Sequence, residues 1–141
     1  MDYYNKITEI MSVRLTTIHP KDNIGKAEML FKNIDKNVLP VVVNNELKGI
    51  LLRRDFKSLA RTKNYINTRL GGKFTAQNMT VEDFMTREVK VLLTEKTIKD
   101  AIQFFIDYKQ YFIPILDGRE IVGIVTPHDV FKFILSTQFN S

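Results

Sequence analysis

No cysteine occurs among the 141 residues. That absence excludes a disulfide framework, a thiolate zinc site, an iron–sulfur cluster and a cysteine nucleophile, and it fits a reducing compartment. Histidine is nearly as scarce. His19 and His128 stand far apart in the chain, neither with a partner at metal-ligand spacing, so both are expected as surface or loop residues. No apolar run approaches the roughly 20 residues that span a bilayer. The start, MDYYNKITEI, lacks the apolar stretch of a secretory signal. A soluble cytoplasmic protein is expected. Nor is there a Ser-His-Asp arrangement, a metal cluster or a phosphate loop ending in Lys-Ser/Thr, so no enzyme activity is expected.

Acidic residues are missing from one segment. Residues 56–81 hold Lys57, Arg61, Lys63, Arg69 and Lys73 and no acid, so the whole net charge of +5 resides there. The stretch also contains a Gly71-Gly72 break. It reads as a linker over residues 63–80, and connections longer than about 12 to 15 residues are usually functional or linker segments.

What is present is written twice. A shift of 74 positions superimposes Met11 on Met85, Ile24 on Ile98, Ala27 on Ala101, Phe31 on Phe105 and Pro40 on Pro114. It continues with Glu46 on Glu120, Gly49 on Gly123, Ile50 on Ile124 and Asp55 on Asp129. Those nine identities fall without a gap, where about two or three are expected by chance. The repeats are placed at residues 7–62 and 81–138.

Each copy has the same grammar. An extended stretch, RLTTI or VKVLL, leads to a helix cap, Asn23 in one copy and Thr97 with Asp100 in the other. The helix that follows carries an apolar stripe: Ile24, Ala27, Phe31 and Ile34, or Ile98, Ala101, Ile102 and Phe105. Two apolar strands then flank a tight turn at Asn44-Asn45 or Asp117-Gly118. A closing helix starts near Arg54 or His128. The fold class is therefore α/β, with two β-α-β-β-α repeats, each a small sheet covered by helices. At the second closing helix, GIVTPHD places Thr126 and Asp129 at capping-box spacing. The same two groups are equally able to hold a sugar and a phosphate.

The openings IMS and DFMT, the helix alanines, the strands LPVV and IPIL, and GILLRRD with GIVTPHD together resemble the cystathionine beta-synthase (CBS) domain pair, also called a Bateman module, over about residues 7 to 136. The resemblance implies a pseudo-twofold pair with two clefts between the repeats. It implies binding of adenosine-containing ligands (AMP, ADP, ATP or S-adenosylmethionine) to regulate another protein. No cofactor is required for this, although magnesium is a natural companion of a bound nucleotide. One nucleotide site would comprise Thr16, Val38 and Leu39 opposite Ile124, Thr126, His128 and Asp129. The other would comprise Ile50, Arg53, Arg54 and Asp55 with Tyr111 and Phe112. Asp129 and Asp55 suit a ribose, since a carboxylate accepts from both hydroxyls in a fixed geometry. Leu52 replaces the Thr126 hydroxyl in the first copy, but Arg53 and Arg54 stand beside it and suit a polyphosphate. No pyridoxal-phosphate lysine motif accompanies the pattern.

The expected partners are an adenosine nucleotide, a second copy in a four-repeat disc, and an effector protein regulated in trans; a membrane is not among them. Phe131, Phe133 and Ile134 are candidates for the homodimer surface. A ligand-free dimerisation or scaffold module is the alternative. Nucleic-acid binding through the basic linker, with Tyr65 and Phe74 nearby, is a weaker one, for want of a recognised nucleic-acid motif.

Overall fold

The computed structural model describes residues 2–34, 36–55 and 79–139, with the main chain only at 138 and 139. The basic segment with Lys57, Arg61, Lys63, Arg69 and Lys73, its Gly71-Gly72 break, and Tyr65 and Phe74 lie outside the described residues.

Two-residue turns organise both repeats. Asn44 and Asn45 adopt φ of 51° and 66°, as a type I′ turn requires, and join β1 (Val38–Val43) to β2 (Glu46–Leu52). In the second repeat the turn falls one residue later than expected, on Gly118 and Arg119, because Asp117 pairs with Glu120 at the ends of β4 (Ile113–Asp117) and β5 (Glu120–Val125). Gly118, at φ 62°, takes the left-handed position. β3 (Leu92–Leu93) runs parallel to β4. In the first repeat the expected opening strand shrinks to a single parallel bridge, Ile18 to Val41, which the 74-residue shift maps onto Leu92 and Ile115.

The helices start at the expected caps. Asn23 Oδ1 accepts from the Gly25 N–H at 2.7 Å to begin α1 (Ile24–Asn33). Thr97 and Asp100 form a reciprocal box before α2 (Ile98–Asp107). Pro127 opens α3 (Pro127–Phe139), at the position where its missing N–H costs nothing. Ile24, Ala27 and Phe31 are buried on α1 and Ile98, Ala101 and Phe104 on α2. The stripe on α2 thus centres on Phe104 and leaves Phe105 at its edge. Tyr108, one turn on and itself exposed, meets the Phe104 ring edge-on at 5.0 Å. On α3, Phe133 is half-buried against Tyr3 and Ile134 packs on the core, so neither is free to form the surface expected of them.

The packing does not follow the repeat boundaries. One compact unit comprises residues 16–89, the other residues 1–15 with 90–141. Ile7, fully buried, sits in a core with Ala101, Phe104, Ile113, Ile115, Val125 and Val130, all from the second repeat. Val81 sits likewise among Ile18, Ile24, Ala27, Phe31, Leu39 and Leu51 of the first. Each repeat has lent its opening segment to the other. Backbone bonds repeat the exchange: Ile7 N–H donates to Lys96 O at 2.8 Å as Val81 N–H does to Asp22 O at 2.9 Å. Ile98 N–H reaches Asn5 O as Ile24 N–H reaches Met79 O, both at 2.9 Å. Ser12 pairs with Ile124 as Thr86 pairs with Ile50.

This exchange explains the glycine of GILLRRD and GIVTPHD. A Cβ on Gly49 would meet Thr86 O at 2.8 Å, and one on Gly123 would meet Met11 Cγ at 2.7 Å. Only glycine lets the lent segment approach the strand this closely.

Candidate functional site

The helix start after β5 holds the pair singled out from sequence. Thr126 N–H and Thr126 Oγ1 both donate to Asp129 Oδ2, at 2.8 and 3.1 Å. Thr97 and Asp100 make the same two bonds at 2.9 and 3.0 Å. Thr80 and Asp83 make them too, at 3.0 and 3.1 Å, before a single 3-10 turn. For the two boxes that begin α-helices, what differs is the first-turn capacity each leaves over.

At α2 no first-turn donor is left over, although Asp100 Oδ1, like Asp129 Oδ1, makes no hydrogen bond among the described residues. Ile98 and Lys99 donate to Asn5 O and Tyr3 O of the lent segment, Asp100 N–H to Thr97 Oγ1, and Ala101 N–H to Thr97 O. All four first-turn donors have partners, as a closed helix end demands. The bond from Thr97 N–H chiefly holds the Asp100 carboxyl below its usual range; partial burial opposes this, and the Thr97 hydroxyl, Lys96 and Lys99 assist it.

At α3 the Asp129 and Val130 N–H groups both turn to Thr126 O, at 3.0 and 3.4 Å. The Thr126 hydroxyl consequently accepts nothing, and the His128 N–H and Asp129 Oδ1 have no hydrogen-bond partner among the described residues. One carboxylate oxygen, one hydroxyl acceptor and one helix-terminal donor remain at a half-buried position. A diol can donate to the first of these and an anion can accept from the last.

The corresponding place in the first repeat is built otherwise. Residues 53–55 are helical, with Arg54 exposed and Asp55 half-buried. The Asp55 side chain makes no hydrogen bond to another described residue. Arg53 revises the expectation that it meets a phosphate. Its guanidinium donates to Phe31 O at 2.7 Å, Ile34 O at 2.7 Å and Lys36 O at 2.6 Å, and its Nε to Asn37 Oδ1 at 3.2 Å. It also lies over the Phe31 ring at 5.2 Å. The Phe31 and Ile34 carbonyls, at the end of α1, carry the negative pole of that helix. Arg53 closes a helix, and Arg54 is exposed and makes no ion pair among the described residues.

The apolar candidates divide in the same way. Leu39 is fully buried in the core of residues 16–89 and presents no side chain to a ligand; β-strand alternation leaves its neighbour Val38 half-buried instead. Ile50 is fully buried too. Thr16, Ile124 and Phe112 are half-buried, whereas His128 and Tyr111 are exposed. Thr16, Val38, Leu39, Ile50, Arg53, Arg54 and Asp55 belong to one compact unit, and Tyr111, Phe112, Ile124, Thr126, His128 and Asp129 to the other. Sequence reasoning missed Met11 and Met85 as the segments set against the motif glycines. The signal was available in the paired Met-Ser and Met-Thr steps at the 74-residue shift.

Among the described residues, no group of three His, Cys, Asp or Glu side chains is placed to hold a metal ion. None of their helices is long and apolar enough to cross a membrane.

Comparison with known proteins agrees with this architecture. The CBS domain family matches residues 7–61 and 81–136. An inosine-5'-monophosphate dehydrogenase from Korarchaeum cryptofilum is 29% identical over 118 residues, covering 82% of this chain and 21% of that protein. The chain thus spans about a fifth of that relative's length. Among solved structures, CBSX2 in complex with AMP superimposes with a TM-score of 0.78 at 22% identity, over 95% of this chain and 98% of that one; CBSX2 is from Arabidopsis thaliana. The CBS domain pair of protein MJ0100, in complex with 5'-methylthioadenosine and S-adenosyl-L-methionine, does so with a TM-score of 0.74 at 24% identity, over 95% and 98%. At such identities the likeness establishes a shared fold.

Proposed function

The chain belongs to the CBS domain family, and on that premise we propose that it is a regulatory module that binds an adenosine-containing nucleotide or S-adenosylmethionine and signals in trans to an effector protein. It catalyses nothing itself, works in the cytoplasm and acts as a homodimer. The observation that carries this is the unused capacity at the start of α3: the Asp129 Oδ1, the Thr126 hydroxyl and the His128 N–H. Asp129 binds the ribose diol through Oδ1 while Oδ2 keeps the cap. Thr126 and the helix terminus receive the phosphate, or the α-carboxylate in the case of S-adenosylmethionine. Ile124 flanks the base, and His128 lies at its edge. In the first repeat Asp55 and Arg54 take the equivalent ribose and phosphate roles. Magnesium arrives on the nucleotide phosphates and not on a site of its own.

The AMP and S-adenosylmethionine complexes of proteins with this fold support the ligand class. A thermal-shift panel of AMP, ADP, ATP, S-adenosylmethionine and cyclic dinucleotides, with and without magnesium, tests it. At a ligand concentration of about 100 times Kd, stabilisation is about 2.7 kcal/mol, which is readily seen. A flat response across the panel refutes the proposal.

One observation favours a second reading, a ligand-free scaffold: the Thr126–Asp129 bonds are complete without any ligand. Asp129→Ala and Asp100→Ala separate the two. Either change removes a cap and costs about 1 kcal/mol, but only Asp129→Ala abolishes ligand-induced stabilisation if Asp129 holds the ribose. Equal behaviour of the two variants leaves the scaffold reading standing.

A further inference from the structure

Two methionines hold the exchanged segments against the motif glycines. Within the unit of residues 1–15 and 90–141, Met11 lies so close to Gly123 that a Cβ there would meet its Sδ, Cγ and Cβ. Within residues 16–89, Met85 takes the same place: a Cβ on Gly49 would meet its Sδ at 2.9 Å and its Cγ at 3.1 Å. The chain has no cysteine, so thioethers are its only oxidisable sulfur. Met11 and Met85 are half-buried at the margins of their cores, whereas Met79 is 4% exposed and Met29 is 59% exposed. A small oxidant thus reaches Met11, Met85 and Met29, and of these only Met29 has no close packing to lose.

A hydroperoxide oxidises a thioether by oxygen transfer. A sulfur lone pair forms a bond to the terminal oxygen, the O–O bond breaks, and the remaining oxygen leaves with the proton as an alcohol or water. The product is a polar sulfoxide. Beside Gly123 its oxygen finds no donor in the adjoining strand pair, because Ser12 N–H already donates to Ile124 O at 2.9 Å and Ile124 N–H to Ser12 O at 3.0 Å. Thr86 and Ile50 are engaged with each other in the same way beside Gly49. A polar group without a partner resists burial, so the segment must lift for water to reach it. Ile124 stands two residues before Thr126, so release of Ser12 frees the strand end that sets Thr126 and Asp129. We propose that Met11 and Met85 are oxidation sites for hydroperoxides, that their sulfoxides unseat the exchanged segments, and that oxidation of Met11 thereby weakens ligand binding at the start of α3.

The last clause rests on the nucleotide reading above; the first two do not. Treatment of the full chain with hydrogen peroxide, followed by peptide mass spectrometry and amide exchange by NMR, tests all three. Met29, Met11 and Met85 are expected to gain one oxygen each well before Met79. Exchange at Ser12, Ile124, Ile50 and Thr86 then rises about tenfold, and AMP and S-adenosylmethionine bind about tenfold more weakly. Reductases for the two sulfoxide epimers restore the parent behaviour. Met11→Leu keeps the volume and removes the sulfur, so peroxide should leave Ser12 and Ile124 protected while Ile50 and Thr86 still accelerate. Met11→Gln should loosen Ser12 and Ile124 with no oxidant present. Met11 and Met85 left intact when Met29 is fully converted overturn the assignment. So does full conversion without faster exchange, acceleration at Ser12 that persists in Met11→Leu, or a loss of circular dichroism over the whole chain. Faster exchange with undiminished ligand binding overturns the coupling alone. If neither ligand stabilises either form, the nucleotide reading fails with that coupling, and the oxidation sites stand.

Discussion

Replacing Ile7 by alanine should loosen the second repeat and spare the first, although Ile7 belongs to the first repeat in sequence. Its side chain is fully buried among six residues, from Ala101 to Val130, that all lie beyond position 100. Removing three methyl or methylene groups from such a site costs about 2–5 kcal/mol, part of it transfer and part cavity. For a chain of this size that lowers the melting temperature by roughly 6–15 °C. The location of the loss is the sharper test. A destabilisation of about 3 kcal/mol speeds amide exchange roughly 150-fold in the residues that open with the cavity. Hydrogen exchange read peptide by peptide should show this at 98–107 and 113–125, with 24–33 and 38–52 much less affected. Val81→Ala should give the mirror image, because Val81 is packed into residues 16–89. If Ile7→Ala deprotects 24–52 as much as 98–125, the exchange of opening segments is not what holds the two cores.

Arg53→Ala should cost about 2 kcal/mol in urea unfolding, since it leaves the carbonyls of Phe31, Ile34 and Lys36 without their charged donor. Arg53→Lys should recover less than half, because an ammonium cannot span three separate acceptors; full recovery would argue against the fork geometry. Gly123→Ala should cost about 1–3 kcal/mol by overpacking against Met11. Adding Met11→Ala should return part of that loss, whereas strict additivity in the double-mutant cycle would place the clash elsewhere. The Asp100 carboxyl titrates below its unfolded value of 3.8. Its bonds therefore stabilise the fold fully above about pH 4, and that contribution is lost as pH falls through the lower, folded value. Asp100→Asn should flatten the acid limb of the stability profile below pH 4 and leave its neutral limb parallel to the parent's. An unchanged acid limb would exclude Asp100 as a source of acid sensitivity.

Much of this was legible because it is local. Asn23 and Thr97 announce their helices through side-chain oxygens that reach only two or three residues ahead, and Asn44-Asn45 tolerates the left-handed backbone that its turn needs. The duplication itself needed only a ruler. What escaped is pairing across the chain. Periodicity identifies Ile7 as apolar but not the core that receives it, and nothing near Gly123 in sequence names Met11 as the group pressing on it. Phe104 and Phe105 are both apolar neighbours on a helix, and only the core that receives Phe104, with Ile7 and Val130 in it, distinguishes them. Arg53 illustrates the same limit for the candidate site. An arginine beside an expected phosphate reads as a ligand contact until the carbonyls it satisfies come into view, and those belong to a helix that ends some twenty residues earlier.

The two threonine–aspartate boxes show why a cap and a binding site are not competing descriptions. A capped helix start always gathers N–H groups, a hydroxyl and a carboxylate in one place. Whether that chemistry faces inward or remains available depends on what else approaches the helix end. At α2 the borrowed segment from Tyr3 to Ile7 approaches, and its carbonyls consume the last free donors. At α3 proline removes one donor at the outset, Thr126 O takes two more, and no borrowed carbonyl reaches the His128 N–H. The Thr126 hydroxyl is released from accepting as a result, whereas the Thr97 hydroxyl accepts from the Asp100 N–H. Exchange of the opening segments thus does more than complete two cores. By closing the helix start that follows β3 and leaving uncovered the one that follows β5, it decides that the His128 N–H, and not its counterpart on α2, has no hydrogen-bond partner among the described residues.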